Sequence, residues 1–144
     1  MVATIGALAR STGIEIVSLP VKASTTITRG LGVEADANGF AILGTTAGIM
    51  SRGLYIAVET VDNSTGSDGD KTVRLASGNT YVYAEAGAGI NFGHTVKLAD
   101  DSTCVQSATA PDTKILGRYI AHENEDINPT DAVDGDVIIV RLGL

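Results

Sequence analysis

Few residues in this chain have the type and setting to do chemistry. His94 follows Gly93 at the entry to an apolar stretch, and His122 closes Tyr119-Ile120-Ala121. A histidine acting as general acid or base needs a partner that orients it and a nucleophile or substrate within reach. No Gly-x-Ser-x-Gly elbow and no Gly-x-x-x-x-Gly-Lys-Ser/Thr phosphate loop occurs, and spacing alone assembles no Ser-His-Asp set. The single cysteine, Cys104, sits between Thr103 and Val105 and reads as a small core residue. One cysteine excludes a disulfide framework or a thiolate metal cage within the chain. Acidic residues cluster in Asp62-Asn63-Ser64-Thr65-Gly66-Ser67-Asp68-Gly69-Asp70, in Glu123-Asn124-Glu125-Asp126 and in Asp134-Gly135-Asp136. These are hard oxygen donors of the kind calcium gathers six to eight at a time. Their spacing matches no EF-hand loop, and Asp-Gly before a strand is a turn pair. Turns are therefore the expectation, with calcium as the alternative. Asn63-Ser64-Thr65 has the pattern of a glycosylation acceptor, but nothing else points to secretion. No catalytic residue, metal site or cofactor is expected.

The elements that would position these residues are strands. Ile14–Leu19, Thr80–Ala84, Phe40–Leu43, Leu54–Thr60, Lys71–Leu75 and Val137–Leu142 are β-branched or alternate in polarity. Gly, Ser, Asn and Asp separate them, and Asn38-Gly39 marks a tight turn. Ala47–Arg52 has room for one helical turn, weakened by Gly48.

The pattern occurs twice. Ile27-x-x-Gly30-x-x-Val33 returns 63 residues on as Ile90-x-x-Gly93-x-x-Val96. Gly53-Leu54-Tyr55-Ile56-Ala57 returns 64 on as Gly117-Arg118-Tyr119-Ile120-Ala121, and Asp68-Gly69-Asp70 returns 66 on as Asp134-Gly135-Asp136. Val73-Arg74-Leu75 returns 67 on as Val140-Arg141-Leu142. The expected fold is all-β, two tandem small barrels or sandwiches, residues 14–77 and 78–144, packed as one unit behind an N-terminal arm, 1–13. Tyr55 should overlie Tyr119 and Val73 overlie Val140. The shared apolar positions Val33, Ile42, Ile56, Val73, Val96, Val105, Ile120 and Val140 should be buried. Arm residues Thr4, Ile5 and Leu8 have no repeat partner. They read either as a frayed terminus or as a strand added to a neighbouring sheet edge.

Composition narrows the classes. With 144 residues, 44% of them apolar, the chain can bury a core. No apolar run approaches a membrane span, and no signal-peptide pattern opens the sequence. Ten basic against 17 acidic residues leave a formal charge of −7, which argues against nucleic acid as a partner. Four Tyr and two Phe are a thin supply for a carbohydrate-binding surface, which stays as the alternative function.

Gly30 to Val33, Gly53 to Val58 and Asp68-Gly69-Asp70 to Leu75, with Gly93 to Val96, Gly117 to Ala121 and Asp134-Gly135-Asp136 to Leu142, carry a resemblance. In that order they resemble the small head decoration, or capsid cement, proteins of tailed viruses, over about nine-tenths of the chain. Duplication is the departure, since those proteins usually carry one module. The resemblance implies β-tulip-like barrels and a non-enzymatic protein on the outer surface of an icosahedral head, made in the host cytoplasm. It also implies a homotrimer at local three-fold positions, the major capsid protein as partner, and no cofactor, membrane or small-molecule substrate.

Overall fold

A computed structural model describes residues 5–9, 14–45, 53–107, 115–122 and 131–143. Thr4, the Ala47–Arg52 turn and the Glu123–Asp126 stretch lie outside them. The described residues contain strands and turns and no helix. The strands are β1 (Glu15–Pro20), β2 (Thr25–Ile27), β3 (Gly32–Ala35), β4 (Ala41–Leu43), β5 (Leu54–Ala57), β6 (Val61–Asn63) and β7 (Thr72–Ser77). After them come β8 (Tyr81–Glu85), β9 (Thr95–Leu98), β10 (Cys104–Gln106), β11 (Ile115–His122) and β12 (Val137–Leu142).

The first sheet runs β1-β7-β5-β3-β4 and the second β8-β12-β11-β9-β10, each neighbour antiparallel. Strand for strand the order is the same, as a tandem duplicated module requires. Both sheets close in the same way. Val21, just past β1, makes a parallel bridge to Ala41 on β4, and Ala86, just past β8, makes one to Cys104 on β10. Each bridge covers one end of the open edge that a five-stranded sheet would expose. β2 and β6 pair beside the first barrel. This pair is not legible in the sequence, because three-residue strands carrying Asp62 and Asn63 resemble loop.

Pairing identifies which residues correspond. Val33↔Leu43, Glu34↔Ile42 and Ala35↔Ala41 recur 63 residues on as Val96↔Gln106, Lys97↔Val105 and Leu98↔Cys104. The Asp-Gly-Asp turns also correspond, 66 apart. The Ser67 N–H donates to Asp70 Oδ2 at 2.8 Å, as the Val133 N–H does to Asp136 Oδ2 at 2.9 Å. Two expected overlaps are corrected. The Ala57 N–H donates to Leu31 O and the Tyr119 N–H to His94 O, so Tyr119 stands where Ala57 stands, not Tyr55. Ile16↔Ala76 matches Tyr81↔Arg141, so Val73 corresponds to Ile138, and Val140 to Leu75. Both errors are slips of two residues. A strand has period two, so such a slip keeps every side chain on its face and leaves the polarity pattern unchanged.

Val21, Ile27, Val33, Ala41, Ala57, Val73 and Leu75 form the first barrel's core. The second core gathers Val82, Val96, Leu98, Tyr119, Ile138, Val140 and Leu142, and it also takes in Ile56 and Ala76 from the outer face of the first sheet. Packing of one barrel against the other is thus part of the second core. Of the eight expected core positions, Val33, Ile56, Val73, Val96 and Val140 are fully buried. Ile42, Val105 and Ile120 are half-buried. Ile42 and Val105 are the middle residues of three-residue strands whose first residue points inward, and Ile120 lies where β11 bulges against β12. Ile56→Ala should therefore cost ~2–5 kcal/mol, the range for emptying a closed core site. Ile120→Ala should cost clearly less. Equal losses in urea unfolding would show that the outer face of β5 is not a buried interface.

Candidate functional site

The arm comes first. The Gly6 N–H donates to Tyr83 O at 2.7 Å, the Ala9 N–H to Tyr81 O at 2.8 Å, and the Tyr83 N–H to Ala7 O at 3.0 Å. Leu8 bridges Val82 in antiparallel sense. The arm thus lies along the free edge of β8 within its own chain. Ile5 rests on Gly30 of the first barrel, and Gly6 lies against Arg29 and the Ala57 carbonyl. This short segment fastens one barrel to the other. Gly6, Ala7 and Ala9 commit these backbone groups to β8, and the side chain of Leu8 is 38% exposed.

The barrels meet at a notch. Gly44 N–H donates to Gly32 O at 2.8 Å, and a methyl group on either glycine would overlap the side chain of Leu98. The Gly32 N–H donates to Ser102 O at 2.8 Å, and Ser102 Oγ donates to Gly44 O at 2.6 Å. Ser102 has φ 68° and occupies the turn position that Gly39, φ 85°, holds in the first barrel. Left-handed backbone disfavours a side chain. Here the hydroxyl bound to the Gly44 carbonyl offsets that cost.

The corresponding outer surface of the second barrel is built from different residues. The first barrel presents the cross-strand row Ile16–Ala76–Ile56–Gly32. The second presents Tyr81–Arg141–Arg118–Thr95 at the same ladder positions. Thr95 and Ser107 replace the two notch glycines, and their hydroxyls bond to each other.

The remaining candidates are structural. The His94 ring lies with Nδ1 3.0 Å from the Thr95 carbonyl, in a half-buried position. His122 ends β11. Burial pushes the Cys104 thiol up to about 12, so it is inert as a nucleophile. In the acidic loop, Asp62 accepts from the Ser64 N–H at 2.9 Å and the Thr26 hydroxyl at 3.0 Å. Donation from Ser64 above all holds its carboxyl down at about 2. Asp68 accepts from the Ala23 N–H at 2.8 Å. Phe40 N–H holds the Asp36 carboxyl low, aided by Lys22 at 3.2 Å, and Thr103 does the same for Asp101. These carboxylates cap turns. Among the described residues no group of three or more His, Cys, Asp or Glu is placed to hold a metal ion. Asn63 is buried, its amide nitrogen donating to the carbonyls of Val21, Lys22 and Ser67 at 3.0–3.3 Å, so its glycosylation pattern is unusable in the folded chain. Tyr119 is buried, with Phe92 edge-on at 5.8 Å, and burial raises its hydroxyl pKa. Tyr55 is half-buried.

The architecture is that of an all-β protein made of two closed five-stranded barrels, the outer face of the first seated on the second. In particular, it is similar to the N base of head fibre gp8.5 in bacteriophage phi29, with a TM-score of 0.58 and 15% identity, covering 90% of this chain and 95% of that one. No protein-family model and no curated protein matches the chain.

Cys104 gives a pH test. Its thiol has an ordinary value of 9.0 and ionises there in the unfolded chain, but only near 12 when folded. Its contribution is full below pH ~9 and falls as pH rises toward 12. Relative to Cys104→Ala, which copies Ala41, the wild type should lose stability between pH 7 and 10.5. A difference constant over that range would mean the thiol is not buried.

Proposed function

We propose that this chain is a non-enzymatic structural protein of a tailed-virus particle, bound to the outer surface of the head as a decoration protein that strengthens the shell. The observation that carries the reading is the likeness of the fold to that of a phage head-fibre base along nearly the whole of both chains. The chemistry agrees, since the histidine ring, the cysteine and the carboxylates described above serve packing and turns. The partner in this reading is the major capsid protein, and the assembled form a homotrimer. Thr4, Ile5 and Leu8 of the arm are the residues proposed to touch the shell or a neighbouring subunit, and the 38% exposure of the Leu8 side chain supports that role for it.

The likeness to a fibre base favours one second reading, in which the same head-bound unit is the foot of a fibre or spike that recognises a surface carbohydrate. The two share the attachment and differ in the outcome. Purified protein should bind saturably to heads that lack it and raise the temperature at which they release DNA. Saturable binding with no gain in head stability would favour the fibre-base reading. Absence of binding would overturn both.

A further inference from the structure

The geometry points to the row Tyr81–Arg141–Arg118–Thr95 as a docking surface for an acidic protein segment, and we infer that its occupant is a carboxylate-bearing stretch of the shell protein. This deepens the proposed function and rests on it for the identity of the partner. Arg118 and Arg141 are directly paired across β11 and β12. Cβ atoms of such pairs stand ~5 Å apart, and like charges placed so are destabilising. The barrel architecture does not require arginines there, because Ile56 and Ala76 fill the same two positions in the first barrel. Arg118 is exposed and donates from Nη1 to Gly93 O at 2.6 Å, while Arg141 Nε is buried with no acceptor. The other guanidinium nitrogens of the two arginines offer carboxylates a bidentate geometry that a lysine could not supply.

The surroundings agree in sign. By strand alternation Lys97 lies on this face beside Thr95, and Glu85 is the carboxylate that the described strands add to it, four residues along β8 from Tyr81. A cationic face on a chain of charge −7 is a local inversion. It would draw an acidic partner while the rest of the surface repels it. The position has a precedent inside the molecule, since the corresponding row of the first barrel is already an interface, seating Leu98 and Ser102 of the second. The glycines that admit those residues are replaced by Thr95 and Ser107, so a further barrel of the same kind does not fit. A charged segment lying across the arginines does.

The test separates the surface from the particle. Hexaglutamate peptide is titrated into isotope-labelled protein at low salt and followed by amide chemical shifts. Shifts should cluster at Thr95, Arg118 and Arg141 and weaken as salt rises. Arg118→Gln with Arg141→Gln should weaken binding by about tenfold or more, with a melting temperature equal to or above that of the wild type because the like-charge pair is gone. Arg74→Gln, on the first sheet, should bind as the wild type does. Inorganic phosphate should bind more weakly than the peptide if an extended acidic segment is the occupant. Shifts scattered over the surface, shifts that survive in the double variant, or phosphate binding as tightly as peptide would each overturn the inference. Head binding is scored separately. Wild-type binding to heads that is unchanged in the double variant would remove the row from attachment while leaving the proposed function standing. Loss of head binding in the wild type itself would sink that function, with the peptide result still deciding whether the row takes carboxylates.

Discussion

Everything in this molecule depends on two glycines that leave room for a leucine. Gly32 and Gly44, joined by a backbone hydrogen bond, form a floor on the outside of the first barrel, and Leu98 of the second barrel lies on it. Ser102 then locks the contact through the Gly32 amide and the Gly44 carbonyl. A barrel of about 65 residues is near the size at which a core stops being self-sufficient. The second barrel meets this limit by borrowing Ile56 and Ala76 from the first. The arm adds a further fastening, crossing from Gly30 to the edge of β8.

The arrangement is not symmetric, and that is its main consequence. A face of the first barrel meets its neighbour, while the equivalent face on the other barrel is turned outward. Contacts of this type propagate unless the last unit is altered. Here the alteration is visible in four positions. Glycines become Thr95 and Ser107, and Ile56 and Ala76 become Arg118 and Arg141. These changes give the exposed face a chemistry of its own.

Much of the fold was legible in the residues. The β3–β4 and β9–β10 hairpins correspond at a constant offset of 63, as the Val33/Val96 match suggests. The Asp-Gly-Asp stretches are matching turns. The Gly-x-Tyr-Ile-Ala and Val-Arg-Leu coincidences mislead by two residues each, an error that alternating polarity cannot reveal. The notch was invisible for a different reason. Nothing distinguishes Gly32 and Gly44 from a glycine in a turn until the opposing side chain is known. Ser102 carries no sign of its left-handed backbone, and the arginine row exists only once β11 and β12 are in register. The arm's position was half legible, since a strand added to a sheet edge was one of its two readings beside a frayed terminus, and the edge it takes is that of β8 in the same chain.

The barrels are held together by the fit of Leu98 to the glycine floor. A double-mutant cycle tests it directly. Gly32→Ala and Leu98→Ala should each destabilise the protein, the first because its methyl overlaps Leu98 and the second by emptying a buried site. In the Leu98→Ala background the added methyl finds space, so the cost of Gly32→Ala should fall by ~1 kcal/mol or more, within the coupling range of residues in contact. Urea unfolding of the four proteins supplies the numbers. Additivity within ~0.5 kcal/mol, the behaviour of independent sites, would contradict the account.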